Sequence, residues 1–204
     1  VSHDHSATTR VPLHPLLADR WSSRAFSDQP VTPEIVVSLM EAVRWAPSAF
    51  NDQPWRFILA TRDNLDSHAR LLTCINTSNQ RWAPHAWVLL LTLANSTFEA
   101  DGSPNRTAQY DLGQSIQNLT VQASAHGLNV RQMAGILPDK IREMYHIPED
   151  VTVMTAVAVG YPGDAARLPA PLPERETHAR TRKPLQDLFF GDEFGQSHPL
   201  TKPE

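Results

Sequence analysis

The stretch Arg44-Trp45-Ala46-Pro47-Ser48-Ala49-Phe50-Asn51-Asp52-Gln53-Pro54-Trp55-Arg56-Phe57 constrains this chain more than any other. Pro47 and Pro54 bracket it. A proline lacks the backbone N–H and its ring collides with the preceding turn, so the helical pattern that reaches Arg44 must stop at Pro47. Each residue before a proline is driven toward extended geometry, so Ala46 to Pro54 is expected to be a loop of fixed shape, with a strand taking over at Arg56. Ser48, Asn51 and Gln53 place hydroxyl and amide groups in this loop, and Trp45, Phe50 and Trp55 flank it. Such a set suits a planar heterocycle with a polar edge. It also suits a structural Asx-type turn with core aromatics beside it, and the loop alone does not choose between the two.

Periodicity organises the remainder. Residues 1–11 are polar and expected to form a flexible tail, in which His3 and His5 are too few and too loosely placed to argue for a metal. Leu13, Leu16 and Leu17 predict a short helix over Pro12 to Asp19. Thr32, Pro33 and Glu34 are N-cap, first-turn proline and first-turn acid of a second helix, with Ile35, Val36, Leu39, Met40 and Val43 on its apolar face. Arg56 to Thr61 reads as a strand, Asp63 to Cys74 as a helix, and Asn79 to Pro84 as a connector. Trp87 to Leu93 is a nearly continuous apolar run, expected as a strand covered on both faces. Ala94 to Asn105 is a polar loop of the kind in which substrate preference is often set. A long helix follows from about Arg106 to His126, stopped by Gly127. Leu128 to Ile136 reads as irregular, Pro138 opens another helix that ends near Tyr145, and valine-rich Val151 to Gly160 reads as a strand. The prolines between Pro162 and Pro184 are too dense for a regular element and predict an extended arm. Leu185, Leu188, Phe189 and Phe190 at its end need a surface to cover them, and a second subunit is the natural one.

With 204 residues and 41% hydrophobic composition, the chain can bury one sizeable core, so a single domain over residues 12–204 is expected behind the tail. The net charge of −4 and the absence of a basic run argue against nucleic acid. No apolar segment approaches a membrane span, the first residues do not resemble an apolar signal core, and Cys74 is the only cysteine, which together point to a reducing, cytoplasmic setting. There is no dinucleotide fingerprint, P-loop, zinc-binding H-E-x-x-H or nucleophile elbow.

Upstream of the loop, Arg20-Trp21-Ser22-Ser23-Arg24 sets two guanidinium groups four residues apart with hydroxyls between them. The ordered set R-x-S-x-R, then A-P-S-x-x-N-x-Q-P-W-x-F, resembles the FMN-dependent nitroreductase family. The resemblance continues through Asn79-Gln80-Arg81-Trp82, Leu112 to Leu128, Met133-Ala134-Gly135, Gly160-Tyr161-Pro162 and Arg180-Thr181-Arg182. Periodicity alone would favour an α/β fold with a parallel sheet. The resemblance implies instead an α+β homodimer with a mainly antiparallel sheet flanked by helices, in which the C-terminal arm, about 162–190, wraps the partner.

The resemblance also implies an FMN site at the subunit interface. Arg20, Arg24, Arg180 and Arg182 would clamp the phosphate, with Trp21 and Ser22 at the phosphate and ribityl chain. Pro47, Ser48 and Asn51 would reach the flavin across the interface, and Gln53 and Asn79 would meet the ring edge. The backbone at Ala134 and Gly135 would face flavin N5. Many relatives carry an acidic residue where this chain has Ala134. No side-chain acid or base is implied, since the cofactor carries the chemistry. The expected activity is ping-pong electron transfer from NAD(P)H through FMN to a small nitroaromatic, quinone or similar acceptor. Dehydrogenation, dehalogenation, flavin fragmentation and non-catalytic flavin storage or sensing are the alternatives.

Overall fold

The computed structural model describes residues 5–201. Four strands, β1 (Trp55–Thr61), β2 (Val88–Asn95), β3 (Asn129–Met133) and β4 (Val151–Gly160), form one antiparallel sheet in the order β1-β2-β4-β3. β2 and β4 are central, and β1 and β3 are the edges. The arrangement is α+β and antiparallel, as the resemblance implies, not the parallel sheet that alternating periodicity favours.

β2 explains the layering. Its side chains point alternately to the two faces of the sheet, and both sets are apolar. Val88, Leu90 and Ala94 join a core built with α2 (Pro33–Arg44) and α5 (Ala108–Ala125), through Val36, Leu39 and Val43 of the first and Leu112, Ile116 and Leu119 of the second. Leu89 and Leu91 join a separate core with Leu71 of α3 (Leu65–Leu72), Trp82 behind the single turn α4 (Thr77–Gln80), and Ile141 of α6 (Pro138–Tyr145). Helices therefore cover both faces of the sheet. None among the described residues is long and apolar enough to cross a membrane.

Three local expectations need correction. Leu128 to Ile136 is not irregular: Asn129–Met133 pairs with Ala156–Gly160 of β4, and five residues are too few for periodicity to announce a strand whose partner lies farther along the chain. Asn79 to Pro84 is not a plain connector, because Asn79 and Gln80 close α4 and Ala83–His85 forms a 3-10 turn. The proline-rich segment is not wholly extended either. It contains α7 (Leu172–Glu176), where Pro173 falls in the first turn and sacrifices no helical hydrogen bond.

The N- and C-terminal segments meet beside β3. A short helix, α1 (Pro15–Ala18), precedes the arginine-rich stretch, and Phe26 then bridges Pro162. Gly163 permits this approach, since a Cβ there would lie 2.4 Å from the Phe26 backbone. Between Pro162 and Arg180 the segment contacts the rest of the chain: Leu168 and Leu172 enter the second core, and Arg180 donates to the Ala18 carbonyl at 2.6 Å. Beyond it, Leu188 and Phe189 are more than half exposed. Of the expected tail, residues 1–4 lie outside the described residues, while the His5 ring stacks on Trp21 at 3.6 Å and the Ala7 N–H donates to Ala18 at 2.9 Å.

Removing a side chain from the inner face of β2 should be costly because both sheet neighbours and the covering helix are fixed. Leu91→Ala is expected to lose about 2–5 kcal/mol in urea unfolding, against less than about 0.5 kcal/mol for Leu185→Ala on the surface.

Candidate functional site

The residues singled out in the sequence fall into three groups. The first is a cluster of arginines where the two terminal segments meet. Arg20 Nη1 donates to Ser22 Oγ at 3.3 Å. Burial lowers the pKa of Arg20, and Arg180 and Arg182 lower it further, which places the three guanidinium groups within electrostatic reach of one another. Arg180 is lowered in the same way, by burial first and Arg182 second, with Asp19 opposing. Mutual repulsion of this kind persists only where the fold holds the groups in place, and it favours a bound anion.

Arg24 stands apart from this cluster. Its Nη1 donates to Glu176 Oε1 at 2.9 Å, and its backbone N–H donates to Glu176 Oε2 at 2.9 Å. Glu176, at the end of α7, is 2% exposed and also accepts from Ser23 Oγ at 2.9 Å. The charge of Arg24 is thus matched inside the chain, and the expected clamp of four arginines divides into three and one. Arg131 of β3, which the motifs do not mark, joins the same place. Its Nη1 donates to the Ser22 carbonyl, its guanidinium lies 5.6 Å from the centre of the Trp82 ring, and burial, with Arg24 beside it, pushes its pKa down to about 10. Arg20, Arg24, Arg131, Arg180 and Arg182 are accompanied by the carboxylates of Asp19 and Glu176. Positive charge is left in excess here, in a chain whose net charge is −4.

Burial changes sides along this stretch, with Ser22 exposed and Ser23 and Ala25 buried. The recess on the Ser23 side, about 830 Å³, is lined by Asp19, Asp164 and Glu176, the wrong sign for a phosphate. Trp21 opens onto that recess and also onto a smaller one shared with Arg20, Ser124 and Gly127.

The second group lies beyond the far end of β3. The Asn76 N–H donates to the Gly135 carbonyl at 2.9 Å, and Asn79 Nδ2 reaches the same oxygen at 3.4 Å. A Cβ on Gly135 would sit 2.1 Å from Asn76 Nδ2, so a side chain there would force the Asn76 amide to move. Asn76, unremarkable in the sequence, caps α4 by accepting the Asn79 N–H at 3.0 Å. Ala134 is exposed beside them.

The third group is the loop between the two prolines. Ser48 Oγ accepts the Gln53 N–H at 3.0 Å, and Gln53 Nε2 donates to the Asn51 carbonyl at 3.1 Å. Phe50, Asn51 and Gln53 all have φ near +50°, conformations costing non-glycine residues about 1–2 kcal/mol each, and external anchors hold them there. Buried Asp111 accepts the Ala49 N–H at 3.1 Å, while Asp52 accepts the Glu99 N–H at 2.9 Å and Asn105 Nδ2 at 3.1 Å. Pro47 and Asn51 are exposed, and Phe50, 94% exposed, makes an edge contact with Phe98 at 5.7 Å.

Within one chain the loop and the arginine cluster do not meet. Asp111 holds the loop at the start of α5, whereas Ser124 and Gly127, which share a recess with Arg20, lie at its end. At 1.5 Å per residue, about 20 Å of helix separates them. The sequence contained one signal for a missed anchor: Asp111 falls on the stripe with Ala108, Leu112 and Ser115, where a solvated acid would not. Arg131 and Glu176 had none, because their partners are remote in sequence.

The Nitroreductase family model matches residues 17–81 and 68–161. An uncharacterized 15.4 kDa protein of Mycolicibacterium smegmatis is 29% identical over 149 residues, 69% of this chain and 97% of that protein. The crystal structure of an oxidoreductase containing FMN superimposes with a TM-score of 0.88 at 34% identity, covering 97% of this chain and 100% of the other. A nitroreductase family protein from Clostridium difficile 630 shares the fold, with a TM-score of 0.66 at 22% identity, covering 90% of this chain and 100% of that one. The family match takes in the Arg20–Arg24 motif, the proline-bracketed loop and the Ala134–Gly135 turn alike, and the chain belongs to the nitroreductase family.

Proposed function

We propose that this protein is an FMN-dependent NAD(P)H oxidoreductase that works as a homodimer, with two cofactor sites built at the subunit interface. The observation that carries this reading is the excess of arginine charge where Arg20, Arg180 and Arg182 converge, in an otherwise acidic chain. A phosphate monoester bears close to two negative charges and fits such a place, and Ser22 Oγ beside Arg20 offers a further polar contact. Four residues beyond Arg131, about 13 Å at 3.3 Å per residue, Asn79 and the Ala134–Gly135 backbone offer donors and acceptors suited to a flavin ring edge. The similar FMN-containing oxidoreductase supports the same assignment.

When bound, FMN would supply the two-electron chemistry, from NAD(P)H to a nitroaromatic, quinone or similar acceptor in ping-pong order. The residues of this chain bind and orient. Arg20, Arg180 and Arg182 hold the phosphate end, and the amides near Gly135 set the ring edge. A second copy supplies Pro47, Ser48, Asn51 and Gln53, which one chain keeps at the other end of α5 from its own arginines. The exposed apolar side chains Trp45, Phe50, Leu188 and Phe189 favour that pairing. The arm would cross to the partner beyond Arg182, a reading supported by the contacts that Arg180, Leu168 and Leu172 make within the single chain.

Four measurements test the proposal. Denaturation should release FMN rather than FAD, and anaerobic NADPH should bleach the bound flavin; a flavin that stays oxidised would identify a store or sensor instead. Arg20→Ala should weaken FMN binding by about 2–5 kcal/mol, the scale for stripping one partner from a charge pair. Turnover should recover at saturating FMN, because a phosphate contact is equal in ground and transition states. Sedimentation at micromolar concentration should give a single dimeric species, and a monomer that retains FMN would defeat the shared-site arrangement.

A further inference from the structure

Among the described residues, two carboxylates are buried, Asp111 and Glu176. Asp111 anchors the proline-bracketed loop. Glu176 has a different position. It lies in the C-terminal segment, four residues before Arg180, yet all three of its hydrogen bonds come from the N-terminal stretch: Ser23 Oγ, the Arg24 N–H and Arg24 Nη1, each at 2.9 Å. The Ser23 hydroxyl in turn accepts the Ala25 N–H at 3.0 Å, which fixes the backbone on either side of Arg24. Arg131, held at the Ser22 carbonyl, closes the network and feels the charge of Glu176.

Such a carboxylate does two things. Its charge is matched by Arg24, whose Nη1 it holds at 2.9 Å. It also pins α7 to the segment that carries Arg20 and Ser22, and the chain leaving α7 is the one that delivers Arg180 and Arg182. The two halves of the arginine cluster come from opposite ends of the sequence. Glu176 is the charged, fully buried joint between them.

We propose that Glu176 is a positioning residue of the cofactor site: by tying α7 to the Ser23–Arg24 backbone it sets Arg180 and Arg182 against Arg20, and Arg24 serves this joint instead of the phosphate. The inference rests on the FMN reading above. It predicts that losing Glu176 weakens the grip on the phosphate end without reaching the ring end, where Asn79 and Gly135 form a separate group.

The test uses full-length apoprotein titrated with FMN, following quenching of flavin fluorescence, with thermal unfolding of the same apoproteins and NADPH oxidation at varied FMN. Glu176→Ala should raise the FMN Kd tenfold or more. The apparent KM for FMN should rise in parallel, while kcat at saturating FMN falls less than threefold. Glu176→Gln, which retains the shape and one acceptor, should lie between Glu176→Ala and the parent. Arg24→Ala in the Glu176→Ala background should add less than twofold, because the joint is already broken. A Glu176→Ala protein with a lowered melting temperature and the parent Kd would show a purely structural role and overturn the proposal, as would fully additive losses in the double variant. Should Glu176→Ala fail to fold, an unchanged Kd in Glu176→Gln overturns it and a rise of threefold or more supports it. A parent protein that does not bind FMN overturns the functional reading and this inference together, whereas a parent that binds beside indifferent Glu176 variants overturns this inference alone.

Discussion

Strand β2 has no polar face, and the rest of the structure follows from that. A strand with one apolar side can lie on the surface of a single core, but Val88 to Ala94 must be covered on both sides. Burying Leu89 and Leu91 requires a second helical layer opposite the one over Val88 and Leu90, and α2 with α5 on one side and α3 with α6 on the other provide them. At about 25 cal/mol per Å² of apolar surface, this two-sided burial is the main term holding the sheet together. It leaves two places for function: the edge strand β3 with the segments beside it, and the loops at the ends of the helices.

Each place solves an electrostatic or steric problem by an anchor from elsewhere in the chain. The proline-bracketed loop holds three non-glycine residues at positive φ and relies on Asp111 and Asp52 to keep them there. The arginine cluster holds like charges together, with Arg180 bonded to the carbonyl of Ala18 and, beside the cluster, Arg24 paired with Glu176. Strained backbone and crowded charge are unfavourable in the free chain, so the anchors that hold them at these two points single them out as candidate sites.

The elements that could be read from the sequence were those with local causes. Pro47 ends α2 just after Arg44, Pro138 opens α6, and the unbroken apolar run marks β2 as covered on both faces. The same run, alternating with helices, also argued for parallel strands, because two-sided burial usually accompanies crossover helices. Here short antiparallel pairings are buried by helices on each face, a matter of chain path that no single strand records. β3 was invisible for a related reason: Val130 and Met133 carry too little pattern, and the pairing with β4 defines the strand.

The sequence by itself determined the kinds of groups available and their local geometry: the R-x-S-x-R stretch, the rigid loop between Pro47 and Pro54, the second arginine pair at Arg180 and Arg182, and, by resemblance, the family. Only the tertiary structure decided how they are shared out. It set Arg24 on Glu176 across 152 residues, brought Arg131 to the Ser22 carbonyl, and placed the loop at the opposite end of α5 from Arg20. The physical reason is the same in each case. A guanidinium or carboxylate acts through its neighbours within a few ångströms, and those neighbours are set by how the two cores close around β2, not by which residues come next in the chain.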